Sequence, residues 1–153
     1  MEKNVIYHGS NVVVSEPGIL INGYYKDFGY GFYCTNIEKQ ARRWALTKSG
    51  ASIVNRYIYI VNPELKVCEF SEMTEEWLQF IVDCRRGREH IYDIVEGPMA
   101  DDQIWDYVED YMAGNIRKAA FWELVKFKYP THQIVFCTED ALKTLHFEGS
   151  SRL

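Results

Sequence analysis

The stretch Asp27-Phe28-Gly29-Tyr30-Gly31-Phe32-Tyr33-Cys34-Thr35 passes from a turn into a short strand and then into a helix. Gly29 and Gly31 flank Tyr30, which bends the strand, and the aromatic pair Phe32-Tyr33 leads on to Thr35. Thr35 and Glu38 have the spacing of a capping box, in which hydroxyl and carboxylate satisfy open backbone N–H groups of the first turn. Ile37, Ala41, Trp44, Ala45 and Lys48 recur at helical steps, with the Lys48 stem at the edge of the apolar face. A strand running into a capped helix can begin a βαβ unit, so the flanking segments decide the fold class.

Upstream, Asn4–Tyr7 reads as a strand ending in His8-Gly9-Ser10, followed by turn signals at Glu16-Pro17-Gly18 and Asn22-Gly23. Downstream, Ile53–Val61 is the longest strand expected, with Ile, Val and Tyr on both faces. A shorter partner follows at Lys66–Phe70. Thr74–Arg86 reads as a helix with Trp77, Phe80, Ile81 and Cys84 on one face and Gly87 as its cap. Ile91–Val95 reads as a strand closed by Gly97-Pro98, and Asp102–Met112 as a helix with Ile104, Val108, Tyr111 and Met112 together. Gly114 ends that helix, and the next one turns Ile116, Ala120 and Leu124 inward. Gln133–Cys137 is the last expected strand, and Thr138 caps a final helix carrying Ala141, Leu142 and Leu145. Strands and helices alternate without a regular βαβ rhythm, so the class is α+β. Residues 1–148 form one domain, and 149–153 read as a C-terminal tail.

Composition narrows the function. The 153 residues carry a formal net charge of −5, and the basic run Arg85-Arg86-Gly87-Arg88 is followed at once by Glu89. Binding to a polyanionic backbone draws on a clustered basic face, so general nucleic-acid binding is disfavoured. Cys34, Cys68, Cys84 and Cys137 are widely spaced and contain no C-x-x-C pair, which argues against a metal or redox motif. No run approaches the roughly 18 apolar residues of a membrane span, and no basic leader precedes an apolar run. The expected location is the cytoplasm, with reduced thiols.

Three short segments could carry chemistry, each at a strand end. In Tyr7-His8-Gly9-Ser10, a His that can hydrogen-bond or titrate sits beside a glycine that admits close backbone approach; alone, such a His is as readily structural. The glycine segment 27–35 lacks the fuller dinucleotide fingerprint and could simply be a bent strand with core aromatics. In Thr131-His132-Gln133-Ile134-Val135-Phe136, polar residues lead a hydrophobic strand, as at any ordinary strand entry.

Taken in order, the three segments resemble the three motifs of the ADP-ribosyltransferase superfamily, in its His–Tyr–acid branch. More narrowly, the chain resembles the bacterial domain-of-unknown-function family 3990 along nearly its whole length. The residues that carry this are His8-Gly9-Ser10, Lys26-Asp27-Phe28-Gly29 with Gly31-Phe32-Tyr33, and Gln40-Ala41 with Trp44-Ala45. Tyr92-Asp93-Ile94-Val95, Gly97-Pro98 with Ala100-Asp101-Asp102, and Gln133 through Leu142 complete them.

The resemblance implies a split, mainly antiparallel sheet with flanking helices and a cleft for NAD⁺ as substrate. By similarity, His8 hydrogen-bonds the nicotinamide-side ribose, the Gly9 backbone holds the carboxamide with Ser10 beside it, and Tyr33, next to Gly31 in the glycine segment, stacks on the nicotinamide. The superfamily's catalytic Glu is replaced here by Gln133, an amide that can hydrogen-bond a ribose hydroxyl but cannot act as a general base. Asp102, with Asp101, is the candidate second carboxylate, although an acidic pair at a helix start also suits N-capping. Lys26 and Asp27 could lie near the cofactor or form a turn. No metal site is expected. The implied activity is mono-ADP-ribosylation of an unidentified acceptor, in the manner of a toxin covered by a cognate antitoxin. The alternative is a catalytically silent NAD⁺ or ADP-ribose-binding or protein-interaction module.

Overall fold

A computed structural model describes residues 4–19, 27–100, 102–125 and 131–153, with the backbone alone at 102 and 103. The architecture is α+β. Strands β1 (Asn4–Ser10), β3 (Ile53–Tyr59) and β7 (Leu145–Arg152) form an antiparallel sheet in the order β1-β3-β7. Strands β2 (Phe32–Cys34), β4 (Val67–Glu69), β5 (Ile94–Gly97) and β6 (Gln133–Phe136) form the second, in the order β2-β6-β5-β4. Among the described residues, only the β4–β5 pair is parallel. A backbone bridge joins the two sheets, where Tyr7 and Thr35 exchange hydrogen bonds of 2.8 and 2.9 Å.

Strand alternation sorts the side chains into layers. Ile6, Tyr57, Tyr59 and Leu145 from the first sheet meet Phe32, Ile94, Ile134 and Phe136 from the second, so one core lies between the sheets. Helix α1 (Glu38–Leu46) covers the other face of the first sheet, setting Ala41 and Ala45 against Val54 and Tyr7. Helices α2 (Glu75–Arg85), α3 (Asp102–Met112) and α4 (Lys118–Val125) cover the outer face of the second sheet, over a larger core built on Phe28, Trp77, Ile81, Val95, Ile104 and Phe121. Helix α5 (Glu139–Leu142) leads into β7.

Several local expectations need correction. The Thr35–Glu38 capping box does not form: α1 starts at Glu38 behind Ile37, with no side-chain cap. The Thr35 hydroxyl instead accepts from the Ile37 N–H and donates to the carbonyl of His132, the residue before β6. Thr74 and Thr138 do cap their helices, accepting from the N–H groups of Trp77 and Ala141. In α4, Phe121 and Val125 turn inward while Ala120 and Leu124 are exposed, because the helix starts two residues beyond Ile116 and its inner face rotates accordingly. Residues 149–152 are not a tail: they continue β7 and pair with residues 53–56 of β3. That segment has no apolar alternation to announce a strand, since its pairing rests on backbone hydrogen bonds along a solvated edge.

Asp93 stitches β5 to its surroundings, accepting from the Lys66 N–H at 2.9 Å and the Thr138 hydroxyl at 2.7 Å. These bonds, the Lys66 backbone bond first, hold its carboxyl below the ordinary value. A lowered folded-state pKa contributes stability above the unfolded value, and that stability is lost as pH falls through the folded one. Asp93→Ala is therefore expected to cost about 1 kcal/mol at pH 7 and progressively less as pH falls through the lowered value, as thermal melts along an acid series would show.

Candidate functional site

The end of the second sheet nearest the junction gathers the residues of interest. β2 ends at Cys34, and Thr35 bridges to Tyr7 of β1, so His8 follows directly on the crossing point. The His8 ring tilts against Phe32 with centroids 4.3 Å apart, and its Nδ1 lies 2.6 Å from the Tyr33 carbonyl oxygen. A carbonyl only accepts, so Nδ1 carries the proton, and in the neutral ring Nε2 is the acceptor.

Tyr33 points to the opposite face of β2 from Phe32 and packs against the larger core. Its hydroxyl is tied down at both ends, accepting from the Phe28 N–H at 3.0 Å and donating to the Gly29 carbonyl at 2.6 Å. Burial, and then the charge of Asp27, push the phenol well above its ordinary pKa, so it stays protonated. Gly29, at φ +81°, makes the turn that presents these two backbone groups.

Gln133 opens β6 on the same face as Tyr33 and donates from Nε2 to Asp27 Oδ2 at 3.2 Å. Asp27 is the hub. Its Oδ1 accepts from Arg85 Nε at 3.0 Å and from a terminal Arg85 nitrogen, and its Oδ2 also accepts from the Ala100 N–H at 2.8 Å. The Arg85 guanidinium in turn lies 3.7 Å over the Trp105 ring. The residue before Gln133 is clamped as well: the Gln40 amide donates to the His132 carbonyl and accepts from its N–H, as a neighbouring strand would. The His132 ring donates to Glu96 at 3.1 Å.

The two glycines expected near the cofactor are surrounded by protein. A Cβ on Gly9 would sit 2.2 Å from the Ala41 carbonyl oxygen and 2.8 Å from the Ala45 nitrogen, because α1 lies directly on β1 there. A Cβ on Gly31 would meet Val135 and the Phe136 backbone within 2.8 Å. Ser10 is half-buried at the end of β1, and its hydroxyl accepts from the Val12 N–H. Asp101, Lys26 and the Asp102 side chain lie outside the described residues.

The structure thus joins Tyr33, Gln133 and Asp27 on the helix-covered face, and links His8 to them through the Tyr33 main chain from the face between the sheets. Sequence reasoning gave no site role to Arg85, Asn55 or Gln40, although Gln40 stood among the residues that carry the family resemblance. Buried Asn55 pairs with His8 across β1–β3, donates to the Val12 carbonyl at 3.1 Å and accepts from the Val14 N–H at 2.9 Å, fixing the chain that leaves Ser10. A polar residue at a fully buried strand position was the available signal.

Other chemistry is less well served. Burial pushes the thiols of Cys84 and Cys137 up to about 12, so neither is a thiolate nucleophile at neutral pH. Among the described residues, no group of three His, Cys, Asp or Glu side chains could hold a metal ion, and no helix is long and apolar enough to cross a membrane. Two hollows lie away from His8. One of about 580 Å³ is open beside residues 60–65 and α5, and one of about 210 Å³ is lined by Tyr30, Cys84, His90, Tyr92 and Cys137.

This is an α+β chain whose two sheets are bridged at Tyr7 and Thr35, beside a His, a Tyr and a Gln held in place. A family model described as a protein of unknown function (DUF3990) matches residues 4–147, and the chain belongs to that family. Comparison with curated proteins and with solved structures gives no match.

Proposed function

We propose that the chain binds NAD⁺ at the sheet junction and transfers its ADP-ribose to a single acceptor. The observation that carries this reading is the arrangement at one sheet end. A His with its tautomer set by a backbone carbonyl, an aromatic residue immobilised through its hydroxyl, and an amide anchored on a carboxylate follow the order of the superfamily motifs. His8 and Gln133 would hold ribose hydroxyls, with Tyr33 against the nicotinamide and Gly9 and Ser10 beside it. The chemistry breaks the bond between ribose C1′ and the nicotinamide nitrogen. Nicotinamide leaves with the bonding electrons, and an acceptor nucleophile joins C1′. Polar groups fixed where the sugar gains positive character contribute most.

A second reading, binding without turnover, is favoured by one feature: the carboxylate nearest Gln133 is saturated with donors and is not placed to take a proton. A cognate antitoxin over the cleft belongs to the first reading alone.

The two are separated by measuring NAD⁺ binding and nicotinamide release, with and without cell lysate, for the wild type, His8→Ala and Gln133→Ala. The transferase reading expects release that falls about tenfold or more in each variant, the worth of one hydrogen bond of roughly 1.4 kcal/mol. Binding without release supports the silent module. Absence of binding at millimolar NAD⁺ removes both.

A further inference from the structure

The Asp27 carboxylate has only acceptors to offer while it is paired with Arg85, so the Gln133 amide must turn its NH₂ toward Asp27 and its carbonyl away. Among the described residues, Gln133 makes no other side-chain hydrogen bond, and no buried side-chain nitrogen or oxygen lacks a partner. Oε1 therefore reaches the accessible surface, although the residue as a whole is 3% exposed.

We propose that Asp27 is a positioning residue for Gln133: it fixes the amide with Oε1 outward, so that position 133 receives an uncharged hydroxyl donor and requires an amide rather than a carboxylate. Hydrogen bonding to the carboxylate also polarises the amide and strengthens Oε1 as an acceptor. Gln133 is then one half of an amide–carboxylate couple, and restoring an acid there works against the site. Naming the donor as a ribose hydroxyl rests on the NAD⁺ reading; the orientation of the amide does not.

The groups facing the couple are Arg85 and Cys84 from α2, Tyr33 from β2 and, beside Gln133, the His132–Glu96 pair. In Gln133→Glu, two carboxylates oppose each other in a buried place. The folded state then holds a proton more tightly than the unfolded chain, whose Glu titrates near about 4.3. Stability is kept at low pH and lost as pH rises through the raised value.

Thermal melts of Gln133→Glu and wild type from pH 5 to 8 test this. The expected result is a variant melting roughly 10 °C lower at pH 8, with the gap closing toward pH 5 and no gain in NAD⁺ turnover. No gap, or one indifferent to pH, overturns the proposal. Hydrogen exchange at the Gln133 side-chain amide of the wild type needs no variant: protection of one Nε2 hydrogen supports the couple, and exchange at the rate of free glutamine overturns it. If the pH-dependent gap appears but NAD⁺ does not bind, the couple stands and the functional reading falls. If NAD⁺ is turned over and Gln133→Glu matches the wild type in stability, the reverse holds.

Discussion

Arg85→Met is expected to destabilise the chain by about 3–5 kcal/mol at neutral pH, the cost of removing one partner of a buried ion pair. Asp27 is 4% exposed, and the Arg85 side chain is 22% exposed, so water screens the pair poorly. Methionine keeps an unbranched apolar stem over Trp105 but supplies no donor to Oδ1, leaving the carboxylate with only the Ala100 N–H and the Gln133 amide. Urea unfolding at pH 7.5 measures the loss. A loss under 1 kcal/mol would show that Arg85 merely shields a carboxylate already satisfied by its neighbours.

The same ion pair shows where sequence reading stops. Asp27 and Arg85 are 58 residues apart and Asp27 and Gln133 are 106 apart, and neither spacing carries a period that would bring them together. Arg85 stood in a basic run weighed only against nucleic-acid binding, and Asp27 ahead of the glycine segment, near the cofactor or in a turn. What sequence does disclose is local: Thr74 and Thr138 cap helices because a hydroxyl three residues ahead of an open N–H suffices. Ile104 and Val108 share a buried face because a helical step of four puts them there. Thr35 had the same capping pattern and yet serves the strand before it, since tertiary pairing with Tyr7 and the His132 carbonyl outweighs a local cap. The end of β7 was illegible for the opposite reason: Gly149, Ser150 and Ser151 carry no apolar alternation, and the edge of β3 defines them. The site was legible as an order of motifs, and its interlocking was not.

Gly9→Ala is expected to be the most damaging added methyl group among the glycines whose surroundings are described. The His8-Gly9 pair invites a ligand role for the glycine, yet the space beside its α-carbon belongs to α1. A Cβ would stand 2.2 Å from the Ala41 carbonyl oxygen, 2.8 Å from the Ala45 nitrogen and 3.0 Å from the Trp44 Cβ. Two of these are backbone atoms of a helix whose hydrogen bonds fix them, so no rotamer change relieves the contact. α1 must move outward, opening the packing of Ala41 and Ala45 on Val54. Overpacking costs about 1–3 kcal/mol where side chains can give; here about 3 kcal/mol or more is expected, a melting temperature lower by roughly 10 °C. Because Gln40 on the same helix holds the His132 backbone, the displacement should also loosen the entry to β6. Gly149→Ala provides the internal comparison: its nearest neighbour would be an Arg56 side-chain nitrogen at 3.7 Å, an ordinary contact, and a change within about 0.5 kcal/mol is expected. Melts of both variants without ligand decide the matter. If Gly9→Ala melts with the wild type and loses only NAD⁺ affinity, the glycine is kept for the ligand; if stability falls first, it is kept so that the helix can lie on the strand.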